Sequence, residues 1–135
     1  MSVNANFAAT PRVGLGQLTV ANTNRDGSGT VVTIFTAGAS GSRIDKITAK
    51  AAGTTTAGII RFYIHDGTNY RLLTELAVTA IIPSGTVLAW VGSVLNAEGA
   101  LVSDVLPLIL PTGYSLRAAP HLAETFNIIA QGGDF

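Results

Sequence analysis

Apolar and polar residues alternate with a period of two at the start of the stretch Gly58–Val78. The series Ile60, Phe62, Ile64 alternates there with the series Arg61, Tyr63, His65. Such alternation directs one series toward a core and the other toward solvent. Asp66-Gly67 then interrupts the pattern, and glycine in a turn takes a positive φ without steric cost. The stretch therefore predicts an antiparallel β-hairpin with Arg61, Tyr63 and His65 on its solvent face.

Seven further segments have strand character, because they are short, apolar or β-branched, and bounded by turn-forming residues. They are Val13–Asn22, Thr30–Ala37, Arg43–Ala52, Thr86–Leu95, Leu106–Leu110, Tyr114–Ala119 and Thr125–Gln131. In the first of them, Leu15, Leu18 and Val20 are the candidate core residues. Asn22–Gly29 has the composition of a loop. Asn96–Asp104 fits either a loop or a short helical turn.

The regular spacing of these short strands, with almost no helical periodicity, predicts an all-β fold. The favoured architecture is a single-domain antiparallel β-sandwich. About eight strands in two sheets suit a jelly roll. An immunoglobulin-like sandwich is the main alternative, although the chain has no cysteine for its Cys…Trp…Cys pattern. We expect residues 1–11 to form an N-terminal arm and residues 12–135 to form the jelly-roll-like domain.

Charged residues are scarce in this chain and change what its surface is expected to do. Asp, Glu, Lys and Arg make up 12% of the 135 residues, against about 25% in an ordinary soluble domain. Hydrophobic residues make up 47%, and 8 basic residues balance 8 acidic ones. Such a surface is poorly protected against association. We therefore expect much of it to contact other protein.

Other partners and compartments are less consistent with the sequence. No apolar run reaches the roughly 18 residues of a membrane-spanning helix, so no membrane partner is expected. No basic patch for nucleic acid stands out, so nucleic acid is not expected either. The first residues lack the basic and apolar regions of a signal peptide, which predicts synthesis in the cytoplasm.

No pattern for catalysis, cofactor binding or metal binding is found. His65 and His121 are far apart in the sequence and lie in no metal-binding spacing. Gly14-Leu15-Gly16 lacks the third glycine of a dinucleotide-binding fingerprint. No nucleophile elbow and no distinctive carboxylate pair is present. We therefore expect a protein that is not an enzyme and has no catalytic residues, no cofactor and no metal.

The few aromatic residues are the candidate contacts with a partner, since Tyr and Trp are enriched at protein interfaces. The residues predicted to lie at an oligomer or capsid interface are Phe7, Tyr63, Tyr70, Trp90 and Phe135. A sugar-stacking platform formed by Tyr63, Tyr70 and Trp90 is an alternative. Packing of these three rings in the core is another.

The chain from Arg43 to Phe135 resembles a group of small β proteins found among the virion genes of tailed bacteriophages and in prophages. The matching pieces are RIDKITAKAAGTTTAG, IRFYIHDGTNYRLLTEL, LPTGYSLRAA and FNIIAQGGDF. They are strand-and-turn patterns that together cover about two-thirds of the chain, and the first 42 residues match less clearly. The family carries no catalytic residues, so none are transferred.

The resemblance implies a phage virion structural protein with a jelly-roll fold. The expected role is that of a capsid decoration, or cement, protein that binds the outer surface of the head and stabilises it. Its expected partners are its own copies, in a homotrimer, and the major capsid protein or another virion protein. The alternative is a head-fibre or tail appendage domain that binds a host glycan or receptor.

Overall fold

The computed structural model describes residues 9–94 and 106–135, and these residues form an all-β fold. They contain nine strands and no helix, and so no helix that could cross a membrane. The strands are β1 (Thr10–Leu18), β2 (Val32–Thr36), β3 (Ser42–Ala51), β4 (Gly58–His65), β5 (Tyr70–Val78), β6 (Val91–Val94), β7 (Leu108–Leu110), β8 (Ser115–Pro120) and β9 (Phe126–Asp134).

The strands form two antiparallel sheets. One has five strands in the order β1-β9-β3-β6, with β7 also paired to β3. The other has four strands in the order β2-β8-β4-β5. Apart from the β4–β5 hairpin and the β6–β7 connection, each successive strand lies in the opposite sheet. The chain therefore forms the antiparallel sandwich that the spacing of its strands predicts.

Side chains from both sheets meet in one core. Ile44 and Ile47 of β3 and Ile128 of β9 point inward from the five-stranded sheet, and Ile60 and Phe62 of β4 point inward from the four-stranded sheet. All five are fully buried. Burial of such a side chain contributes about 1.5–3 kcal/mol. The apolar series at period two thus supplies the inner surface of both sheets.

The hairpin predicted over Gly58–Val78 is confirmed. β4 and β5 pair from Gly58↔Val78 to His65↔Tyr70. Gly67 has a φ of 99° in the turn between them. Asp66 Oδ1 accepts hydrogen bonds from the backbone N–H groups of Thr68 and Asn69, which fixes the turn.

The prediction that Arg61 and Tyr63 face solvent is wrong. Both point away from the core, yet they are only 1% and 0% exposed. The connection from β1 to β2, residues 19–31, covers this part of the sheet. Arg61 donates to the carbonyl oxygen of Asn22, and the Tyr63 hydroxyl donates to that of Asn24. Alternation tells which side of a sheet a side chain lies on, but not whether another segment covers that side.

Several strand boundaries differ from the prediction; for example, β1 ends at Leu18 rather than Asn22, and β9 continues to Asp134 rather than ending at Gln131. β1 begins at Thr10, inside the segment 1–11 assigned to an arm, where the backbone of Thr10 is already paired with Asp134. Within the described part of the predicted strand Thr86–Leu95, Val91–Val94 form β6, and residues 84–87 form a turn instead. Leu95 lies outside the described residues. The segment Asn96–Asp104 lies outside the described residues.

Candidate functional site

Strand β1 carries two large apolar side chains, Val13 and Leu15, on the outside of the sandwich. Leu15 is 68% exposed, and Val13 is also exposed, whereas Gly14 and Gly16 point inward. A Cβ at Gly14 would lie 2.4 Å from the carbonyl oxygen of Ile34, so β1 approaches β2 too closely for a side chain there. The prediction that Leu15 and Val20 belong to the core is therefore wrong, while that for Leu18 is confirmed.

The outward residues of β1 lie beside those of β9. The strand register places Val13 next to Gln131, Leu15 next to Ile129, and Gln17 next to Asn127. We call these six residues the β1–β9 face. None of them is charged. The sequence is in fact uncharged from residue 13 to 24 and from residue 125 to 133, so both strands lack charge throughout this region.

A depression of about 480 Å³ opens on the β1–β9 face. Its lining consists of Leu15, Gly16, Gln17, Asn127 and Ile129. The Gln17 side-chain amide donates a hydrogen bond of 3.0 Å to Asn127 Oδ1, so these two polar groups partly satisfy each other. The remaining surface is mainly apolar and suits an uncharged protein segment.

Charges on the outside of the five-stranded sheet are confined to β3. Lys46 and Lys50, the chain's only lysines, lie on this strand. The Lys50 amino group donates to the carbonyl oxygen of Ala89 at 2.8 Å. Arg43 and Asp45 form an ion pair on the same strand. The basic side chains thus lie beside the β1–β9 face and leave the face itself neutral.

A second exposed apolar surface lies on the connection between β5 and β6, residues 79–90, which we call the β5–β6 loop. Ile82 and Leu88 are 77% and 79% exposed, and Val87 is also exposed. The loop is closed by a hydrogen bond from Ser84 N–H to the carbonyl oxygen of Val87. An isolated bridge between Thr55 and Ile81 ties its first part to the sandwich. These large apolar side chains therefore project from an anchored turn.

The outside of the four-stranded sheet carries the most elaborate polar network among the described residues. Arg61 contacts Glu75 at 3.1 Å and lies 3.4 Å from His121 Nδ1. Arg25, from the β1–β2 connection, pairs with the same Glu75 at 2.7 Å. The hydrogen bond from Arg25, together with Arg61, holds the pKa of Glu75 below its usual value. Burial raises the pKa of Tyr63, which keeps its hydroxyl a donor.

This network fastens residues 19–31 to the sheet through Arg25, Arg61 and Tyr63. Each buried side-chain nitrogen or oxygen there has a hydrogen-bond partner. His121 and Glu75 are engaged with Arg61, and Tyr63 with a backbone carbonyl. We call Arg25, Arg61, Tyr63, Glu75 and His121 the clasp, because their contacts hold residues 19–31 against the sheet.

The structure separates the aromatic residues that the sequence singled out. Tyr63 and Tyr70 form an edge-to-face pair with ring centroids 6.0 Å apart. Trp90 instead packs edge-to-face on Phe126, 5.7 Å away, in the core. Phe135 is 40% exposed, and its N–H donates to the carbonyl oxygen of Gly41. Phe7 lies outside the described residues.

Burial decides what these rings offer to a partner. Tyr63 and Trp90 are buried within the chain, so neither has side-chain surface left for an interface or for a sugar. Tyr70 is half-buried between His65 and Arg117, which donates to its hydroxyl at 2.7 Å. The three-ring platform of Tyr63, Tyr70 and Trp90 is not formed. Of the five predicted contact residues, Tyr70 and Phe135 keep exposed surface in the described chain.

Sequence reasoning missed the exposed apolar residues Leu15, Ile82 and Leu88. The signal that marks them is the absence of charge over long stretches, since no charged residue occurs from residue 76 to 97. Large apolar residues in such a stretch are ordinarily assigned to the core. Only the strand register and the path of the loop show that they point outward.

In the ranges 9–94 and 106–135, no group of three or more His, Cys, Asp or Glu side chains is placed to hold a metal ion. No family model, curated protein or solved structure matches the chain. The structure shows exposed apolar side chains on two uncharged strands and on one loop.

Proposed function

We propose that this protein is a non-enzymatic structural protein of a tailed-phage virion. In this proposal it decorates the outer surface of the head as a homotrimer and stabilises the shell by binding the major capsid protein or another virion protein. The observation that carries the proposal is the pair of exposed, uncharged apolar surfaces on the sandwich. Permanent assembly favours large apolar interfaces of this kind.

The order of the strands supports the jelly-roll part of the proposal. In the orders β1-β9-β3-β6 and β2-β8-β4-β5, the first and last strands pair, and so do the second strand and β8. This nested pairing of early with late strands, in two four-stranded layers, is what two Greek keys rolled together produce. The strand β7 is an addition that pairs with one end of β3. Viral capsid proteins and lectins both use this fold.

The distribution of charge supports a protein partner over other partners. Nucleic acid phosphates favour a strongly basic surface, whereas this chain has equal numbers of basic and acidic residues, and Arg25, Arg43 and Arg61 are each paired with a carboxylate. Glycan binding requires aromatic rings exposed in a groove, and Tyr63 and Trp90 are buried. The resemblance of the stretch from Arg43 to Phe135 to phage virion proteins supplies the biological context.

Electron microscopy of particles from a producing lysate tests the proposal. Gold-labelled antibody against the purified protein should decorate the outer surface of phage heads. Heads that lack the protein, from a deletion of its gene, should lose the label and release DNA at a lower temperature. Label on the tail would favour the alternative, an appendage domain for a host glycan or receptor. Particles without any label would refute both.

A further inference from the structure

We infer that copies of this chain join head to tail, with the β5–β6 loop of one copy seated on the β1–β9 face of the next. This inference rests on the proposed homotrimer and names the surfaces that form it. The occupant of the β1–β9 face is therefore a second copy of this chain. The contact places Ile82 and Leu88 of one copy against Leu15 of its neighbour.

The two surfaces match in chemistry. Leu15 and Leu88 are 68% and 79% exposed, and both belong to stretches without a charged residue. Bringing them together removes apolar area from water, which contributes about 25 cal/mol per Å². A contact centred on Leu15 meets no charge in its own row, because Leu15, Ile129 and Thr48 pair across β1, β9 and β3. Lys46 and Lys50 lie in the rows on either side, beside Gln131 and Asn127. A buried unpaired charge is the usual obstacle to such a contact.

The two surfaces also match in position. Gln17, Asn127, Lys50 and Val91 pair in one continuous row across β1, β9, β3 and β6. The depression beside Gln17 lies at one end of this row, and the β5–β6 loop enters β6 at the other end. The three strand spacings between them amount to about 14 Å. Both surfaces therefore lie at the same level of the sandwich on opposite edges, as lateral contact around an axis requires.

The presence of two unlike surfaces on each copy is consistent with the rotational symmetry of a cyclic trimer. A two-fold dimer uses one self-complementary patch, whereas a cyclic trimer needs two different patches on each copy. This chain presents two such patches that do not overlap. Strands β1 and β9 pair over nine residues, so the flat area of these two strands is about 290 Å². The side chains of Val13, Leu15 and Ile129 project from this area and add to the accessible surface that a neighbour can cover.

The first experiment introduces one aspartate into the β1–β9 face and, in a separate variant, one aspartate into the β5–β6 loop. Leu15→Asp and Leu88→Asp alter exposed side chains, so each variant should fold and be a monomer by light scattering at concentrations where the wild type is a trimer. Mixed in equal amounts, the two variants should form a complex of two chains. The Leu15→Asp variant keeps an intact β5–β6 loop, and the Leu88→Asp variant keeps an intact β1–β9 face. The intact loop of the first can therefore bind the intact face of the second, which is the single contact left in the mixture.

Two matched controls carry the same substitution elsewhere. Ile109 lies on the outside of the five-stranded sheet at the far end of β3, and Leu72 lies on the four-stranded sheet, and both are exposed. Ile109→Asp and Leu72→Asp should remain trimers. A wild-type monomer, or trimers that persist in both Leu15→Asp and Leu88→Asp, would overturn the inference. So would a two-chain wild type that only Leu15→Asp dissociates, since that result indicates a two-fold contact.

Cross-linking provides a second test that does not depend on the affinity of one contact. The chain has no cysteine, so Leu15→Cys and Leu88→Cys introduce unique thiols. A short bis-maleimide should link the double variant into covalent trimers and should link neither single variant. Covalent dimers from either single variant would contradict the head-to-tail arrangement, as would a double variant that stays unlinked. These results concern only the contact, because head labelling in electron microscopy decides the proposed function independently.

Discussion

At the scale of single residues, Arg61 is the most consequential polar side chain of the described structure. It is almost fully buried and binds Glu75 and the carbonyl oxygen of Asn22. Arg61→Met keeps an unbranched chain of similar length but removes both contacts, leaving the buried carbonyl unpaired. We expect the free energy of unfolding to fall by about 2–4 kcal/mol in a urea titration.

Arg71→Met is the matched control for this prediction. Arg71 lies on the neighbouring strand β5, is exposed, and bonds only to the carbonyl oxygen of Tyr70. Its replacement should change the free energy of unfolding by no more than about 0.5 kcal/mol. Equal effects of the two substitutions would show that the buried clasp does not stabilise the sandwich.

Glu75 makes the same clasp sensitive to acid. Its pKa is lowered in the folded protein by the hydrogen bond from Arg25 and by Arg61. A carboxyl group with a lowered pKa stabilises the fold above its unfolded value of about 4.3 and loses that contribution as the pH falls through the folded pKa. We expect wild-type stability to decline below about pH 4.3 more steeply than that of Glu75→Gln.

Urea titrations of both proteins between about pH 7 and pH 2.5 check this expectation. Asp134, whose pKa is lowered by hydrogen bonds from Ser42 and Arg12, remains in both proteins. The variant should therefore retain part of the acid dependence. Parallel curves for the two proteins would contradict a stabilising role for the ionised Glu75.

The alternation in the sequence predicted Ile60 and Phe62 as core residues correctly, because period two is a local property of a strand. It gave the wrong environment for Arg61 and Tyr63, because the segment that buries them is about forty residues away in the chain. Leu15 was wrongly assigned to the core because its own stretch of sequence does not show which residues of β1 face inward. Nothing local shows that β1 turns its glycines, rather than its leucine, toward Ile34.

At the scale of elements, the contact of β9 with β3 depends on a glycine. Gly132 pairs with Ile44, next to the irregularity between Ile44 and Lys46 in β3. A Cβ at Gly132 would lie only 1.8 Å from the carbonyl oxygen of Arg43. Gly132→Ala must push the two strands apart, and we expect it to lower the free energy of unfolding by about 3 kcal/mol.

Gly85→Ala is the control, since Gly85 has no atom within 4 Å of its added Cβ. It should change the free energy of unfolding by about 0.5 kcal/mol or less. A Gly132→Ala protein as stable as Gly85→Ala would mean that the strands are farther apart at this point than the structure shows.

Elements were predicted best where the residues that determine them are adjacent in the sequence. Asp66-Gly67 sits between two strands that pair with each other, and the hairpin was predicted with both ends correct. The predicted strand Thr86–Leu95 was too long, because Val87 and Leu88 are β-formers placed in a loop. Strand β6 begins only at Val91, although the Trp90 carbonyl oxygen already accepts a hydrogen bond from Ala51 N–H.

At the scale of the whole molecule, pairing between distant strands determines the fold. β1 pairs with β9, so Thr10 lies opposite Asp134. Strand spacing predicted a sandwich, but it contains no information on which strands become neighbours. The unlike exposed surfaces of the β1–β9 face and the β5–β6 loop result from this topology, which is why the aromatic residues alone were insufficient to locate them.

The uncharged character of these surfaces predicts how the assembly responds to salt and to dilution. Raising NaCl from about 0.1 M to 1 M shortens the Debye length from about 10 Å to 3 Å and would dissociate a trimer held by ion pairs. We expect the mass of the wild type to stay at three chains over this range. Because the proposed trimer would stabilise only folded chains, the melting temperature of the wild type should rise with protein concentration. The melting temperature of Leu88→Asp should be independent of concentration, because that variant has no intact loop to place on a neighbour. Dissociation of the wild type by salt would show that the β1–β9 face and the β5–β6 loop do not hold the copies together. A wild-type melting temperature that is independent of protein concentration would show the same.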